Sequence, residues 1–361
     1  MMTSHRIAVL PGDGIGQEVM KEAVEVLELL KKLDPSIRIE FDTFGWGSEY
    51  YLEHGKMMPD DALDKLKKYD AILFGAIGDK RVPDDVTVWG LIMPIRKKFK
   101  QYINLRPVKL LKGVSCRFTG EDIDFVIVRE NAEGEYSNSG GRLYQGLDQE
   151  IAVQNTIITR AGTKKAARFA FEYAEKHGKG TVTSATKSNA IIHSMKLWDE
   201  TVREVGQEFQ AINLQSYYID ALAAYFVLKP EEFEVVVASN LFGDILSDLG
   251  SAVAGGLGLS PSANLNPEGD FPSMFEPVHG SAPDIAGKGI ANPIAQIWSA
   301  ALMLEHLGRA DLAAVILESI EEVLVQKEVQ TPDLGGNSTT SEMGSAIRDI
   351  IQQLLLVKEG R

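Results

Sequence analysis

Two aspartates stand four residues apart in the mostly apolar run NLFGDILSD, residues 240–248. In a helix, positions i and i+4 share one face, so the carboxylates of Asp244 and Asp248 would lie one turn apart and point the same way. Like charges at this spacing repel by roughly a few tenths of a kcal/mol. The pair therefore predicts either a solvated helix stripe or a positively charged group between the two carboxylates.

A third aspartate, Asp220 in YYIDALAAYF, also has apolar neighbours. Ligand sets made only of carboxylates suit Mg²⁺ or Mn²⁺, which prefer oxygen. The six histidines form no HExxH or similar paired spacing, which argues against zinc. Spacing alone leaves a solvated helix face as the alternative to a metal site.

Three arginines and a lysine are candidates for binding an anionic substrate. Arg96 and Arg106 are ten residues apart, and Arg129 closes the predicted strand DFVIVRE. Guanidinium groups bind carboxylates through paired hydrogen bonds, so arginines near strand ends suit a substrate with two carboxylates. Lys187 follows a predicted strand in TSATKSNA, and a lysine beside a metal ion and other cations can act as a general base. Taken singly, an arginine or lysine of this kind is more often ordinary surface charge.

A glycine-rich motif, LPGDGIGQEV, follows the first predicted strand and opens a helix. This is the context of a dinucleotide-binding turn, and Asp42 ends the next strand, roughly where a ribose-binding acid is expected. The spacing, however, is G-x-G-x-G rather than G-x-G-x-x-G. The alternative is a tight strand-to-helix turn that carries an exposed Asp13.

The elements that must position these residues alternate between short β-rich runs and longer amphipathic helices. RIAVL, DAILFGAIG, FEVVVASN and similar runs read as strands, and GQEVMKEAVEVLELLKKL reads as a helix. This alternation predicts an α/β fold with much parallel sheet. Residues 136–158 have the composition of a polar, glycine-containing hairpin arm. Residues 255–293 are predicted to be a long loop region, which in a compact chain is usually functional.

Composition argues against several classes of function. The 361-residue chain has a formal net charge of −14, which disfavours sequence-independent binding to nucleic acid or anionic membranes. No apolar run approaches the length of a membrane span, and no signal or transit segment precedes the first strand. The single cysteine, Cys116, cannot form an internal disulfide and reads as a small buried hydrophobe. We therefore expect a cytoplasmic protein.

Seven segments resemble, in order and along essentially the whole chain, the β-decarboxylating dehydrogenases, the family that contains isopropylmalate and isocitrate dehydrogenases. They are LPGDGIGQEV, NLRP, VRENAEGEY, TKSNA, NLFGDILSD, MFEPVHGSAPDIAGKGIANP and TPDLGG. Within the family, FGWGSEYYLEHG, VTVWGLIMPIRK and NLFGDILSDL look most like the branch that acts on tartrate and D-malate.

The resemblance implies a two-domain isopropylmalate/isocitrate dehydrogenase-like fold and a homodimer with shared active sites. Residues 1–101 and 255–361 would form the cofactor-binding domain. Residues 102–254 would form the substrate and dimerisation domain, with the arm at about 136–158.

The resemblance also assigns chemical roles. Asp244 and Asp248, with Asp220 of the partner subunit, would hold Mg²⁺ or Mn²⁺, and K⁺ is a further candidate ion. Lys187 of the partner subunit would be the base at the C2 hydroxyl of the substrate. Tyr136 would protonate the enol that decarboxylation leaves. The malate-like carboxylates would be held by Arg96, Arg106 and Arg129.

In this family the dinucleotide lies largely on HGSAPDIAGKGIANP, with help from the turn at Gly75–Gly78, so PGDGIG would not be the cofactor site. Asp284 would accept hydrogen bonds from the adenosine ribose, Asn292 would contact adenine, and Asn189 would approach nicotinamide. A carboxylate at position 284 repels a 2′-phosphate, which favours NAD over NADP. The candidate cofactor-binding residues are Gly75, Ala76, Ile77, Gly78, Asn189, Glu276, His279, Gly280, Ser281, Ala282, Asp284, Ile285 and Asn292.

The segment before Arg96, TVWGLIMP, would face the substituent on C3 of the substrate. Trp89 and Ile92 offer none of the hydroxyl or amide groups expected for isocitrate. In the isopropylmalate enzymes an acid stands where Trp89 stands, followed by two leucines that line the pocket. The bulk of Trp89 would leave room only for hydrogen or hydroxyl on C3, as in D-malate or tartrate.

The resulting prediction is NAD- and metal-dependent oxidative decarboxylation of a malate-like 2-hydroxy acid, D-malate to pyruvate and CO₂, with activity on tartrate. One alternative is a 3-isopropylmalate dehydrogenase. The alternative of another class is a non-catalytic nucleotide- or phosphate-binding protein built on PGDGIG.

Overall fold

The structure is a computed structural model that describes residues 3–115 and 122–359. The chain divides into two compact units. The first comprises Met1–Gln101, Leu110–Arg117 and Ala254–Arg361, and the second comprises Tyr102–Lys109 and Phe118–Val253. Cys116 lies outside the described residues. Within those residues, no helix has the length and hydrophobicity needed to cross a membrane.

The strands, in chain order, are β1 (Thr3–Gly12), β2 (Ile37–Thr43), β3 (Ala71–Ala76), β4 (Ile103–Lys109), β5 (Asp124–Glu130), β6 (Gly140–Leu143), β7 (Ile151–Gln154), β8 (Thr181–Thr186), β9 (Asn213–Tyr218), β10 (Val235–Ala238), β11 (Pro261–Leu265) and β12 (Ser273–Pro277).

The helices are α1 (Gly16–Leu33), α2 (Ser48–His54), α3 (Ala62–Leu66), α4 (Asp84–Thr87), α5 (Met93–Lys98), α6 (Arg160–Lys176), α7 (Ser194–Gly206), α8 (Ile219–Leu228), α9 (Asn240–Val253), α10 (Ile294–His306), α11 (Ala310–Gln326) and α12 (Thr340–Glu359). A π-helical turn, Val88–Ile92, joins α4 to α5.

In the first unit the strands run in the order β2-β1-β3-β12-β11. β1 pairs in parallel with β2 and β3, β12 is parallel to β3, and β11 is antiparallel to β12. Every residue of β3 is buried, as expected of a parallel strand that is covered on both faces. The predicted α/β fold with much parallel sheet is confirmed.

The predicted loop region 255–293 contains two buried strands, β11 and β12. Their sequences, PSANL and SMFEP, lack the β-branched alternation that marks a strand. The strands form because they pair with each other and β12 pairs with β3, so tertiary context overrides a weak local preference.

In the second unit the order is β4-β5-β10-β8-β9, with β4 antiparallel to β5 and the other neighbours parallel. Helix α9 lies directly on β5, because Gly243 has no side chain. A Cβ atom at Gly243 would stand 2.7 Å from the Cβ and Cγ atoms of Arg129. This close approach brings the first turn of α9 to the carboxyl end of β5, where the predicted acidic and basic residues lie.

An antiparallel hairpin, β6 and β7, occupies the stretch predicted to be an arm. Its backbone register pairs Gly140 with Gln154 and Leu143 with Ile151. The surface of the hairpin is less polar than predicted, because several large apolar side chains along it are exposed. They are Leu143, Tyr144, Leu147, Ile151 and Val153.

Candidate active site

Asp244 is the centre of a charged cluster at the end of β5. Its Oδ1 accepts a hydrogen bond from Nη1 of Arg129 at 2.5 Å, and its Oδ2 accepts one from the Tyr136 hydroxyl at 3.0 Å. Nη1 of Arg106 lies 3.2 Å from the same carboxylate. Five residues predicted from the sequence therefore meet here, the fifth being Asp248, whose Oδ1 lies 3.7 Å from Nη1 of Arg106.

Each arginine of this cluster is held by neutral side chains that the sequence analysis missed. The Asn240 amide oxygen accepts from Nε and Nη2 of Arg129 at 3.1 and 2.7 Å, and its amide nitrogen donates to the Glu133 carbonyl at 3.0 Å. The Asn104 amide oxygen accepts from Nε of Arg106 at 2.6 Å. These bonds fix both guanidinium planes before any ligand binds.

Ser247 adds a further partner for Arg106, whose Nη1 donates to the Ser247 hydroxyl. Asn104, Asn240 and Ser247 are almost fully buried. Each belongs to one of the motifs NLRP and NLFGDILSD. Only their position next to those charged residues could have pointed to them, because asparagine and serine carry no charge signal of their own.

The local environment shifts the pKa values of the acids in this cluster. Burial, followed by the negative charge of Asp244, raises the pKa of Asp248, and the charge of Arg106 partly opposes this shift. Burial and the neighbouring Asp244 carboxylate raise the pKa of Tyr136, so the phenol keeps its proton. A protonated phenol hydrogen-bonded to a carboxylate can act as a proton donor.

Lys187 and Asp220 form a second pair in the same unit. Nζ of Lys187 donates to Oδ1 of Asp220 at 2.5 Å. The hydrogen bond from Lys187 holds the pKa of the Asp220 carboxyl below its usual range. Lys187 directly follows strand β8, and Asp220 lies in the first turn of helix α8.

Among the described residues of this chain, no group of three or more His, Cys, Asp and Glu side chains is arranged to hold a metal ion. The two aspartates of α9 share one face, as their spacing predicted, but Asp220 does not join them in a three-acid group.

Glu130 is a buried acid beside this cluster that sequence reasoning did not single out. Its carboxylate accepts hydrogen bonds from the backbone N–H groups of Ala132 and Glu133 at 2.8 and 3.0 Å. Burial raises the pKa of Glu130 to about 7. Glu133 in turn accepts from the backbone N–H and hydroxyl of Thr159, at 2.8 and 2.6 Å. The loop between β5 and Tyr136 is thus held by two carboxylates.

Arg96 lies in the first unit. Its Nη2 donates to Oε1 of Glu276 at 2.7 Å, and the same oxygen accepts from the side-chain amide of Asn264 at 2.7 Å. Glu276, predicted as a cofactor residue, is buried and forms this ion pair with a predicted substrate residue.

Trp89 lies in the π-helical turn Val88–Ile92 and is half-buried. Nζ of Lys97 stands 4.7 Å from the centre of the Trp89 ring, a cation–π contact. Gly90 packs closely on Met57, since a Cβ atom there would lie 2.6 Å from the Met57 Cγ. Ile92 packs against the apolar core of the unit. Trp89 thus stands beside the core rather than in it.

The other predicted cofactor residues divide between the two units. Asn189 is exposed in the turn after β8 of the second unit, whereas the remainder belong to the first. Asp284 is exposed and accepts from Nζ of Lys80 at 2.8 Å. The Asn292 amide donates to Asp333 at 3.0 Å. Ser281 is buried, Gly280 is exposed, and Ala282 and Ile285 are half-buried.

His279 and the end of β3 complete this set. Burial lowers the pKa of His279, which favours the neutral imidazole, and its Nε2 has no hydrogen-bond partner. Gly75 and Ala76 are buried at the end of β3, and Ile77 and Gly78 follow half-buried.

The two acids of the glycine-motif hypothesis are both engaged by protein groups. Asp42 accepts from Nη2 of Arg6 at 2.8 Å and from the Tyr69 hydroxyl at 2.7 Å. Asp13, which the alternative reading of the turn left exposed, is buried. That expectation was wrong, because the Asp13 carboxylate accepts hydrogen bonds from Ser48 and Gly78, which are remote in sequence.

Comparison with known proteins gives consistent matches along the chain. Residues 6–347 match the isocitrate/isopropylmalate dehydrogenase family. A tartrate dehydrogenase/decarboxylase of Pseudomonas putida is 52% identical, over 97% of this chain and 99% of that protein. A D-malate dehydrogenase [decarboxylating] of Escherichia coli is 50% identical over the same shares. A crystal structure of isocitrate dehydrogenase from Methylococcus capsulatus has a TM-score of 0.88 and 35% identity, covering 96% of this chain and 99% of that one.

The raised pKa of Glu130 predicts a pH-dependent stability. Because the native pKa of about 7 exceeds the ordinary 4.5, the contribution of this group is full below pH 4.5 and declines as pH rises to 7. One pKa unit corresponds to about 1.4 kcal/mol. We expect Glu130→Gln to flatten the fall in unfolding free energy between these pH values by up to about 3 kcal/mol, measured by urea denaturation.

Glu231→Gln, at an exposed position of the same unit, is the control and should follow the wild-type curve. A constant offset in Glu130→Gln would reflect the lost acceptor oxygen, so the slope against pH is the quantity to compare. Identical slopes for the wild type and Glu130→Gln would contradict the assignment.

Proposed function

The chain belongs to the isocitrate/isopropylmalate dehydrogenase family, and from that premise we propose that it is a cytoplasmic enzyme. The proposed reaction is the oxidative decarboxylation of D-malate to pyruvate and CO₂, which depends on NAD and a divalent metal ion. Tartrate is proposed as a further substrate. The observation that carries the proposal is the cluster in which Arg106, Arg129 and Tyr136 converge on Asp244. It combines anion-binding, cation-binding and proton-donating groups at the end of one strand and the start of one helix.

Two fixed guanidinium groups suit a substrate with carboxylates. Arg106 and Arg129 are oriented by Asn104 and Asn240, so little side-chain entropy remains to be lost when an anion binds. We assign a substrate carboxylate to this pair, and assign Arg96 to substrate binding on the family resemblance alone.

The chemistry of Asp244 and Asp248 fits a divalent cation. Both carboxylates lie on one face of α9, and the pKa of Asp248 is raised chiefly by burial, with a smaller contribution from the negative charge of Asp244. A cation bound there would offset the repulsion between the two carboxylates, and oxygen-only donors favour Mg²⁺ or Mn²⁺. When bound, such an ion lowers the energy of negative charge on the substrate hydroxyl and carbonyl oxygens.

The side chains of the protein handle the protons of the reaction. The Lys187 amine takes the proton of the C2 hydroxyl while the C2 hydrogen leaves as hydride to NAD⁺, which gives a 2-keto acid. The C3 carboxylate then departs as CO₂. Tyr136 delivers its proton to C3, and its raised pKa keeps that proton available at neutral pH.

We propose a homodimer in which Lys187 and Asp220 complete the partner's site. One observation supports it. Apolar side chains are exposed along the hairpin and on α9, where Ile245 is 53% exposed. Such side chains are typical of an interface that a second copy covers.

The direct test is a screen for NADH formation with Mg²⁺ or Mn²⁺, with and without K⁺. The substrates are D-malate, L- and meso-tartrate, 3-isopropylmalate and isocitrate. We expect D-malate to give the highest kcat/KM, and chelation of the metal to abolish the signal. A preference for isopropylmalate would identify the rival enzyme, and NAD binding without turnover of any substrate would favour a non-catalytic protein.

Cofactor choice is tested at Asp284, whose carboxylate faces Lys80. We expect Asp284→Lys with Ile285→Tyr to shift the kcat/KM preference toward NADP by about tenfold or more. The reversal removes a repulsive charge, and it also frees Lys80 to attract the 2′-phosphate. The control is Asp42→Ala, which should leave the KM for NAD almost unchanged. Loss of NAD binding in Asp42→Ala, with no effect at Asp284, would mean that the cofactor uses the PGDGIG turn.

The substrate pocket is tested at Trp89. If the ring limits the space at C3, Trp89→Ala should raise the ratio of kcat/KM for isopropylmalate to that for D-malate by about tenfold. The ratio is the informative quantity, because lost packing lowers both rates together. An unchanged ratio in a folded variant would show that Trp89 does not line the pocket.

A further inference from the structure

The glycine-rich motif LPGDGIGQEV has no part in the chemistry described above, yet its polar groups contact both candidate cofactor loops. We call residues 75–78 the first loop and residues 279–292 the second loop. Both loops and the motif belong to the first unit.

Glu18, in the first turn of α1, binds the backbone of the second loop. Its Oε2 accepts a hydrogen bond from the N–H of Gly289 at 3.0 Å, and its Oε1 accepts one from the N–H of Gly287. The N–H of Ile15 donates to the Ser281 carbonyl at 2.9 Å. The motif therefore contacts the second loop both near its start and near its end.

Glycine at position 14 allows this contact. Gly14 has φ +57°, and a Cβ atom there would stand 2.1 Å from the Ser281 carbonyl oxygen. A side chain would push the second loop away from α1. The glycine spacing thus serves close packing of protein backbone at this turn.

Asp13 binds the first loop in the same way. Its carboxylate accepts from the N–H of Gly78 at 2.9 Å and from the N–H and hydroxyl of Ser48 at 2.8 and 2.6 Å. The N–H of Asp13 donates to the Ala76 carbonyl at 2.8 Å. Because Asp13 is 7% exposed, these donors replace the water that a carboxylate would otherwise need.

At its glycines the second loop is held by Glu18 and by one further hydrogen bond, from the N–H of Thr340 to the Gly289 carbonyl at 2.9 Å. Gly287 and Gly289 have φ +76° and +65°, and a Cβ atom at either would meet nothing within 4 Å. A backbone this open samples other conformations unless its N–H groups are bound, and a ligand must then pay to order it. Two charge-assisted bonds to one carboxylate reduce that cost before the ligand arrives.

We propose that Glu18 and Asp13 are positioning residues that pre-order the two loops for the dinucleotide, Glu18 for the second loop and Asp13 for the first. This inference rests on the proposed NAD-dependent function. Neither residue is assigned any contact with the reacting atoms. The effect of losing either should therefore fall on cofactor affinity rather than on the chemical step.

The test is Glu18→Gln, which keeps one acceptor oxygen and turns the other toward the loop as an N–H₂ donor. We expect the Kd and KM for NAD⁺ to rise about tenfold, with kcat and the KM for the hydroxy acid within about twofold of wild type. Amide hydrogen exchange of the peptide covering residues 283–292 should be faster without any NAD present. Asp13→Asn should give the same pattern for the peptide covering residues 75–80.

The matched control is Asp70→Asn. The exposed Asp70 carboxylate accepts from the backbone N–H of Arg6 at 2.7 Å, just before β3 begins and so at the opposite end of that strand from the first loop. This variant should leave NAD affinity and loop exchange unchanged, which separates loss of any carboxylate that binds a backbone N–H from loss of Glu18.

The outcomes are distinguishable. Wild-type protein that fails to bind NAD⁺ overturns the proposed function and the cofactor role of Glu18 together. Wild-type protein that binds NAD⁺, with unchanged affinity and loop exchange in Glu18→Gln, overturns the inference alone. A lower melting temperature with both KM values raised equally also overturns it, because that pattern indicates a purely structural role.

Discussion

The second unit depends on one carboxylate, that of Asp244, because a guanidinium, a phenol and a second nearby guanidinium all meet it. Arg129 and Arg106 are almost fully buried, and a buried guanidinium is costly unless its hydrogen bonds are satisfied. Asp244 provides the opposing charge, while Asn104, Asn240 and Ser247 provide neutral acceptors. The absence of a side chain at Gly243 brings α9 close enough to β5 for these contacts. The close packing of α9 on β5 and the ion pairs of Asp244 therefore depend on each other.

In the single chain, the charged side chains of the candidate site pair with one another. Asp244 is engaged by arginines in the single chain, and burial raises the pKa of Asp248 despite the nearby charge of Arg106. Lys187 and Asp220 satisfy each other at 2.5 Å. In the proposed dimer, a substrate and a cation would exchange these protein–protein partners for ligand contacts. Ion pairs that already exist in the free protein limit the cost of keeping such charges partly buried until then.

Features that depend on a local sequence pattern could be predicted from the sequence. The α/β alternation, the boundaries of α1 and the shared face of Asp244 and Asp248 follow from hydrophobic period and helix geometry. The family resemblance then supplied roles for residues whose spacing left the chemistry open. Strands β11 and β12 escaped detection because long-range pairing, and not their own composition, makes them strands.

The residues that orient the site could not be read from the sequence. Asn104, Asn240 and Ser247 are uncharged, and their importance appears only when their partners are known. Asp13 looked like an exposed turn residue, because its donors come from Ser48 and Gly78, 35 and 65 residues away. The pKa of Glu130 is raised because its carboxyl group is buried, and the sequence gives no sign of that burial.

The central claim is that one active site contains parts of two chains, and subunit complementation tests it most directly. Lys187→Met and Arg106→Met should each be nearly inactive alone. Co-refolded in equal amounts, random pairing places both defects in one site of each mixed dimer and leaves about a quarter of all sites whole. Activity near that fraction of wild type is the predicted result, with none when the folded dimers are mixed without exchange. Exchange proven by mass spectrometry with no return of activity would place Lys187 and Arg106 in the same chain's site and contradict the account.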